Sequence, residues 1–91
     1  MEQSLYELQY RQSVDKDLRK LPDSVRSAVV QKIRLLATNP RPTGSVKLRG
    51  SKDLYRIRST DYRILYEIDD GKITILIVKV GHRKNVYRDV N

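Results

Sequence analysis

The chain has 91 residues, no cysteine and one histidine, and it carries 19 lysines and arginines against 11 acidic residues, for a formal net charge of +8. This composition excludes a disulfide framework, thiol chemistry and a histidine-rich metal site, and no apolar run is long enough to span a membrane. We expect one cytoplasmic domain over residues 1–91, without membrane association, whose positive field attracts polyanions such as nucleic acid or an acidic peptide.

A strand followed by two helices is predicted for the first forty residues. Residues Ser4–Tyr10 alternate between apolar and polar side chains, as a half-buried strand does. Ser13 is predicted as the N-cap of a short helix with an acidic first turn. Pro22 ends that helix and begins a second one, which Asn39 and Pro40 end. Two amphipathic helices joined so closely are predicted to form an antiparallel hairpin.

The rest of the chain is predicted to be a basic loop and three strands. Residues 41–52 form a long irregular loop, and beyond it the apolar period changes to two. Three strands are therefore predicted at Leu54–Arg58, Tyr62–Asp69 and Lys72–Val80. The last strand is apolar on both faces, which indicates an interior position. The predicted fold class is α+β, with an N-terminal strand, a two-helix hairpin and a three-stranded antiparallel meander, both helices packed on one face of the sheet.

Arginines are predicted to cover the sheet face that points away from the helices. Strand alternation places Arg56, Arg58 and Arg63 together on that face. If Ser59 and Thr60 form the hairpin loop, Arg56 lies directly opposite Arg63. Directly opposed like charges cost roughly 0.2–1 kcal/mol, so we interpret the arrangement as a site for an anion. Guanidinium groups offer a fixed fork of donors that suits phosphate.

Further basic residues are expected to extend this surface. Lys47, Arg49 and Lys52 of the loop are predicted to converge with the strand arginines. The segment after the last strand adds Arg83 and Tyr87, together with the only histidine. Tyr87 either packs in the core or presents its ring and hydroxyl to a nucleotide. A solvated basic face is the alternative for any one of these cations, but it explains the whole set poorly.

Four sequence blocks in this order resemble the successive conserved blocks of RelE toxins: Lys47–Gly50, Leu54–Arg58, Asp61–Tyr66, and Gly81–Arg83 with Val86–Tyr87. The resemblance covers essentially the whole chain. It implies the toxin of a type II toxin–antitoxin system, a metal-independent endoribonuclease without a cofactor. Such an enzyme cuts mRNA in the ribosomal A site by attack of the 2′-hydroxyl on the adjacent phosphate. The implied partners are the ribosome, mRNA and a cognate antitoxin whose C-terminal segment wraps the toxin, with operator DNA bound only through that antitoxin.

The resemblance also implies roles for individual residues. Arg49 matches an RNA-contacting loop arginine, and Lys47 and Lys52 are expected to bind RNA beside it. The catalytic positions carry over to Arg56, Arg58, Arg63, Arg83 and Tyr87.

One departure from well-studied relatives affects the chemistry. Those relatives have lysine at the positions of Arg56 and Arg58, and arginine does not release a proton in proteins. Arg58 is therefore interpreted as a charge stabiliser. The proton acceptor stays open between Tyr87, His82, a ribosomal RNA group and a substrate phosphate oxygen.

Two other functions compete with this interpretation. The related ParE group shares the fold but poisons DNA gyrase and cuts nothing; the retained arginines and Tyr87 favour the nuclease. A plain RNA- or DNA-binding domain is the second alternative. It is disfavoured because the strand tyrosines fall on the apolar side of the sheet, where they cannot stack on bases.

Overall fold

The fold is built on one mixed sheet of five strands and two helices. The computed structural model describes residues 5–87. Its strands lie in the order β1-β5-β4-β3-β2, with β1 parallel to β5 and all other neighbours antiparallel. The elements are β1 (Glu7–Tyr10), α1 (Gln12–Arg19), α2 (Asp23–Leu36), β2 (Val46–Lys47), β3 (Leu54–Ser59), β4 (Tyr62–Asp69) and β5 (Thr74–His82).

The predicted α+β class is confirmed, and so is the interior position of the last strand, since β5 lies between β1 and β4. That strand begins and ends two residues later than predicted. The first strand is shorter than expected, and Ser4 lies outside the described residues. Within residues 5–87, neither helix is long and apolar enough to cross a membrane.

The helices begin close to their predicted positions but are capped differently. The predicted N-cap at Ser13 is wrong, because α1 begins at Gln12 and its N-cap is Arg11, two residues earlier, which makes no side-chain cap. The chain leaves the sheet directly into this helix, with the Arg11 N–H donating to the carbonyl of Ile77 at 3.0 Å. Pro22 immediately precedes the first residue of α2. Both helices pack on one side of the sheet, here named the helix face.

The main core lies between the helices and the helix face. Tyr66 at its centre is fully buried, and its hydroxyl donates to the carbonyl of Pro40 at 2.8 Å. Burial raises the pKa of Tyr66 to about 12, because the phenolate is poorly solvated there. The buried apolar residues are Val14, Leu21, Val29, Ile33, Leu36, Ile57, Ile64, Tyr66, Ile68, Ile75, Ile77 and Val80.

An ion pair ties the segment after α2 to the β4–β5 turn. Arg41 lies 2.9 Å from Asp70 and donates from Nε to the hydroxyl of Tyr55 at 3.1 Å. The hydroxyl of Tyr6 donates to the same carboxylate at 2.6 Å. The Arg41 guanidinium, followed by the Tyr6 hydroxyl, holds the pKa of Asp70 below its usual range. These contacts join the residue before β1, strand β3 and the β4–β5 turn at one end of the sheet.

The predicted irregular loop contains a short edge strand. β2 pairs with the start of β3, and the Leu48 N–H donates to the carbonyl of Leu54 at 2.9 Å, which closes a tight hairpin. Gly50 turns that hairpin with a φ of +79°, a conformation that glycine adopts without steric cost. The expectation of an irregular stretch over residues 41–52 is therefore wrong only for Val46 and Lys47, which form β2.

The sheet face remote from the helices, here named the opposite face, is partly apolar. A bulge in β5 leaves Val78 without a partner between the Leu65–Lys79 and Tyr66–Ile77 pairs, and such a bulge re-aims side chains locally. The opposite-face cluster consists of Leu65, Val78 and Val86, with Leu48, Leu54 and Leu76 packed against it. Contrary to the prediction, the arginines therefore do not cover the whole of this face but lie beside an apolar patch.

Candidate nucleic-acid interface

The turn between β3 and β4 differs from the predicted one by one residue. Ser59, only 4% exposed, continues the alternation of β3 and pairs with Tyr62. The two loop residues are therefore Thr60 and Asp61, with Thr60 at a φ of +55°. The predicted Ser59–Thr60 loop is wrong because Ser59 is held in the strand by burial.

This turn sets which arginines oppose each other. Arg58 pairs with Arg63, and Arg56 pairs with Leu65, so the predicted pairing of Arg56 with Arg63 is wrong. The difference is two residues in register, which keeps every side chain on its predicted face. All three arginines therefore share the opposite face, and the direct like-charge contact lies at the end of the strands, beside the turn.

The Arg63 side chain is held against this turn. Its Nη1 donates to the carbonyls of Thr60 and Tyr62, each at 3.1 Å. These bonds leave Nη2 and Nε of Arg63 for other acceptors, while the opposing Arg58 side chain is exposed. The two residues are cross-strand neighbours on one face, so both guanidinium groups have donors that can reach a shared anion.

Arg56 lies further along β3, between Val46 on β2 and Leu65 on β4. Among the described residues, its buried Nε has no hydrogen-bond partner. An unpaired buried donor costs about 1–3 kcal/mol. The Nε–H of Arg56 is thus a donor whose acceptor the described residues do not provide.

The segment after β5 returns to the same turn. Gly81 pairs with Arg63, and the N–H of Arg83 donates to the carbonyl of Asp61 at 2.8 Å. This bond places the start of the closing segment beside the β3–β4 turn. Arg83 therefore joins the Arg58–Arg63 pair at one end of the sheet, as the sequence predicts.

A single turn then seats the closing segment on the opposite face. The N–H of Val86 donates to the carbonyl of His82 at 2.9 Å, and its side chain is fully buried against Leu65. Tyr87 follows directly and is 41% exposed. Of the two interpretations of Tyr87, packing in the core is disfavoured, because its side chain is exposed and available to a ligand.

His82 points to the helix side of the sheet. It pairs with Tyr62, and the two rings meet edge to face with centroids 5.5 Å apart. Its Nδ1 accepts from the N–H of Lys84 at 3.2 Å, so neutral His82 carries its proton on Nε2. Because side chains alternate along the chain here, Arg83 lies on the side of the sheet that carries the arginines, whereas His82 lies on the helix side.

The basic loop residues do not converge with the strand arginines. Lys47 pairs with Tyr55 and so lies on the helix face. Arg49 and Lys52 are exposed in the β2–β3 hairpin, at the far end of β3 from Arg58. Four residues of strand separate these ends by about 13 Å. The predicted convergence is therefore wrong, and the roles of these three residues in RNA binding stay predictions.

Sequence reasoning missed a polar cleft on the helix side of the closing segment. The cleft has a volume of about 460 Å³ and is lined in part by Asp17, Lys20 and His82. Nothing in the local sequence indicates it, because α1 and β5 meet only through the sheet topology. Within residues 5–87, no group of three or more His, Cys, Asp or Glu side chains could hold a metal ion.

Comparison with known proteins identifies the class. The family model of the ParE toxin of type II toxin–antitoxin systems matches residues 8–87. The mRNA interferase toxin RelE of Escherichia coli K12 is 35% identical over 81 residues, which is 87% of this chain and 84% of that protein. Toxin RelG of Mycobacterium tuberculosis is 33% identical over 84 residues, covering 91% and 97%.

Solved structures agree with these relatives. The archaeal RelE–RelB complex from Pyrococcus horikoshii contains a chain with a TM-score of 0.79 and 29% identity, covering 89% of this chain and 98% of that one. The isolated E. coli RelE toxin has a TM-score of 0.75 and 32% identity, covering 85% and 83%. The protein described here is the toxin component of a type II toxin–antitoxin system. It belongs to the RelE/ParE superfamily, and the resemblance predicted from its sequence is confirmed.

Proposed function

We propose that this toxin is an mRNA endoribonuclease that acts in the ribosomal A site and inhibits translation without a bound metal ion. The observation that carries the proposal is the direct opposition of Arg58 and Arg63 beside the Arg83 segment. Three permanent cations at one end of a sheet suit a phosphate on which negative charge develops. The name of the E. coli relative, an mRNA interferase, supports the same activity.

The proposed reaction begins with the 2′-hydroxyl of the substrate. Its oxygen attacks the adjacent phosphorus while the bond to the 5′-oxygen breaks, leaving a cyclic phosphate and a free 5′-hydroxyl. The transition state carries extra negative charge on the phosphoryl oxygens. Arg58 and Arg63 neutralise that charge from neighbouring strands, and Arg56, on the same face, supplies a further positive charge. In this way, guanidinium groups supply the positive charge for which other nucleases use a metal.

Proton transfer is assigned to the closing segment. Arginine keeps its proton, so neither Arg56 nor Arg58 serves as a base. Tyr87 is exposed and directly follows Val86, which is buried on the face that carries the arginines. We propose that the Tyr87 hydroxyl transfers a proton or that the Arg83 guanidinium assists the transfer by a hydrogen bond, without releasing its own proton. His82 is the weaker candidate, because its ring packs on Tyr62 at the helix side.

A cognate antitoxin is the second part of the proposal. Chains similar to this one form complexes with RelB antitoxins, from E. coli among others. We propose that an antitoxin binds this toxin through its C-terminal segment, in the cytoplasm, and that operator DNA is contacted only through the antitoxin. We expect the neighbouring reading frame to encode a small acidic protein, and co-expression of that protein followed by purification through the toxin alone tests this. Recovery of the toxin without the second protein would contradict it.

The nuclease activity is tested by primer extension on a translated message after brief expression. The wild-type toxin is expected to cut at discrete A-site positions, and cutting should stop when translation is blocked. Arg63→Ala and Arg83→Ala should abolish cleavage with unchanged far-UV circular dichroism. Arg34→Ala removes the same charge from the exposed surface of α2 and should cut like the wild type. Full activity of both site variants would refute the assignment.

The metal-free route makes a separate prediction about the products. Attack by the 2′-hydroxyl leaves a 2′,3′-cyclic phosphate and a 5′-hydroxyl, whereas attack by a metal-activated water leaves a non-cyclic phosphate monoester. A single 2′-deoxynucleotide at the cut position should therefore block cleavage. Efficient cutting of that substrate would contradict the proposed nucleophile.

The match to the ParE family model favours a second candidate function, inhibition of DNA gyrase without cleavage. The two functions have opposite signatures in the same expression experiment. Arrested DNA replication with intact mRNA would support the gyrase inhibitor and overturn the nuclease.

A further inference from the structure

The polar cleft on the helix side of the closing segment lies beside Gly81, the sheet partner of Arg63. It lies between the C-terminal end of α1 and the last residues of β5, and its volume of about 460 Å³ is within the range of small-molecule pockets, roughly 300–1,000 Å³. Its polar lining comes from three chain segments: Asp17, Lys20, Tyr62, Lys79, His82 and Asn85.

Among the described residues, Asp17 is the one acidic residue of this lining, and its carboxylate contacts residues of β5 in the wall of the cleft. β1 pairs with β5 only as far as Ile77, and beyond that point the Asp17 carboxylate takes the place of a strand. It accepts from the N–H of Val80 at 3.1 Å and lies 3.9 Å from Nζ of Lys79. The Asp17 side chain is only 13% exposed. Its charge is thus compensated within the wall, and the exposed Lys20 gives the mouth of the cleft a positive charge.

The cleft and the strand arginines flank the same stretch of chain. Gly81 lines the cleft and is also the partner of Arg63 in the sheet. His82 faces the cleft, and the next residue, Arg83, is tied to the β3–β4 turn. A strand of RNA with one phosphate at the arginines therefore has this cleft within reach of a neighbouring nucleotide.

We propose that the cleft is an RNA subsite that holds one nucleotide beside the phosphate that is cut. Lys20 contacts the backbone phosphate of that nucleotide, and Asn85 and the Nε2–H of His82 supply hydrogen bonds to its sugar or base. The Tyr62 ring, packed edge to face on His82, keeps the imidazole in place. The proposal rests on the proposed nuclease function, and either mRNA or ribosomal RNA provides the same chemistry.

Charge reversal at the mouth of the cleft tests the subsite. The probe is a short fluorescent RNA with 2′-O-methyl sugars, which binds without being cut, and the measurement is its dissociation constant at several salt concentrations. Lys20→Glu is expected to weaken binding about tenfold, as loss of a charged hydrogen bond does. The slope of log K against log salt should become shallower by about 0.7, the value for one lost phosphate contact with a single strand.

Two further variants separate a local contact from the overall charge. Lys72→Glu makes the same change in charge in the β4–β5 turn, at the other end of the sheet. Its effects on the affinity and on the salt slope should each be less than half of those of Lys20→Glu. Asn85→Ala removes a proposed hydrogen bond without changing the charge and should weaken binding while leaving the salt slope unchanged. Thermal unfolding of each variant identifies any loss of affinity that comes from a loss of fold.

The two sources of RNA give different outcomes, and both support the subsite. If Lys20→Glu weakens binding of the short RNA, the nucleotide is supplied by mRNA. If only binding to vacant ribosomes weakens, ribosomal RNA supplies it. Equal behaviour of Lys20→Glu and Lys72→Glu in both assays would overturn the subsite. The nuclease function is judged separately, by wild-type cleavage of translated mRNA, and it survives that result.

Discussion

Replacing Arg58 with glutamine is expected to stabilise this toxin while reducing its activity. Arg58 lies directly opposite Arg63, and opposed like charges on a sheet cost roughly 0.2–1 kcal/mol. In a domain of this size, 1 kcal/mol corresponds to about 4–8 °C in melting temperature, so the variant should melt about 1–8 °C higher. Because the Debye length falls from about 30 Å at 0.01 M salt to about 3 Å at 1 M, the gain should shrink strongly in high salt.

The assay is thermal unfolding at both salt concentrations, with Arg34→Gln as the matched control. Arg34 is exposed on α2, and its loss lowers the net charge by the same amount without relieving a direct contact. Cleavage by Arg58→Gln should fall about 10–100-fold, since a hydrogen bond to a charged group contributes about 1.5–3 kcal/mol. If Arg58→Gln is no more stable than Arg34→Gln at low salt, the reasoning from the Arg58–Arg63 contact is refuted.

Three other substitutions test the parts of the fold that support the site. Tyr66→Phe should cost about 1 kcal/mol at neutral pH through the lost bond to Pro40. Because burial raises the pKa of Tyr66 to about 12, the folded state keeps a proton that the unfolded chain releases near pH 10, and wild-type stability falls as the pH rises between these values. Urea unfolding at pH 8 and 11 should show this alkaline loss reduced in the variant by about 1 kcal/mol, after discounting for solvent screening; equal losses would contradict it. Asp70→Asn should destabilise at neutral pH, and the difference from wild type should vanish as acid protonates Asp70, whose pKa is lowered by Arg41; a difference that persists in strong acid would argue against the ion pair. Val86→Ala should cost about 1–3 kcal/mol, speed hydrogen exchange at its own amide and lower cleavage, and unchanged exchange would show that this side chain does not anchor the closing segment.

The sequence predicts the helix-face core well, because periodicity is strongest there. β4 is predicted without error at either end, since its apolar residues alternate over eight positions. Val29, Ile33 and Leu36 are buried along α2 as their helical spacing indicates. These features depend only on one element presenting one apolar face, which local sequence contains.

The register of the site could not be predicted in the same way. Pairing Arg63 with Arg56 or with Arg58 leaves every side chain on the same face, so alternation does not distinguish the two. The choice depends on whether Ser59 or Asp61 belongs to the turn, and both residue types favour turns. Burial of Ser59 decides it, and burial is a property of the assembled sheet.

The short edge strand and the cleft were missed for related reasons. β2 has only two residues, too few to show a period, so the face of Lys47 could not be assigned. The wall of the cleft is held by a hydrogen bond from the N–H of Val80 on β5 to Asp17 on α1, two residues that lie 63 positions apart in the chain. Contacts of that kind follow from strand order, which one sequence without structure leaves open.

Because Arg58, and not Arg56, lies opposite Arg63, having arginine rather than lysine at position 58 affects the stability of the fold. A lysine held next to another cation relieves the repulsion by releasing its proton, whereas guanidinium stays charged at any physiological pH. The contact between Arg58 and Arg63 is therefore a permanent cost of the folded state, relieved only by salt or by a bound anion. A phosphate at the β3–β4 turn removes that cost and gains two charged hydrogen bonds at once. The stability gained by Arg58→Gln at low salt thus measures the same repulsion that the RNA phosphate relieves, which is why stability and cleavage should move in opposite directions at this position.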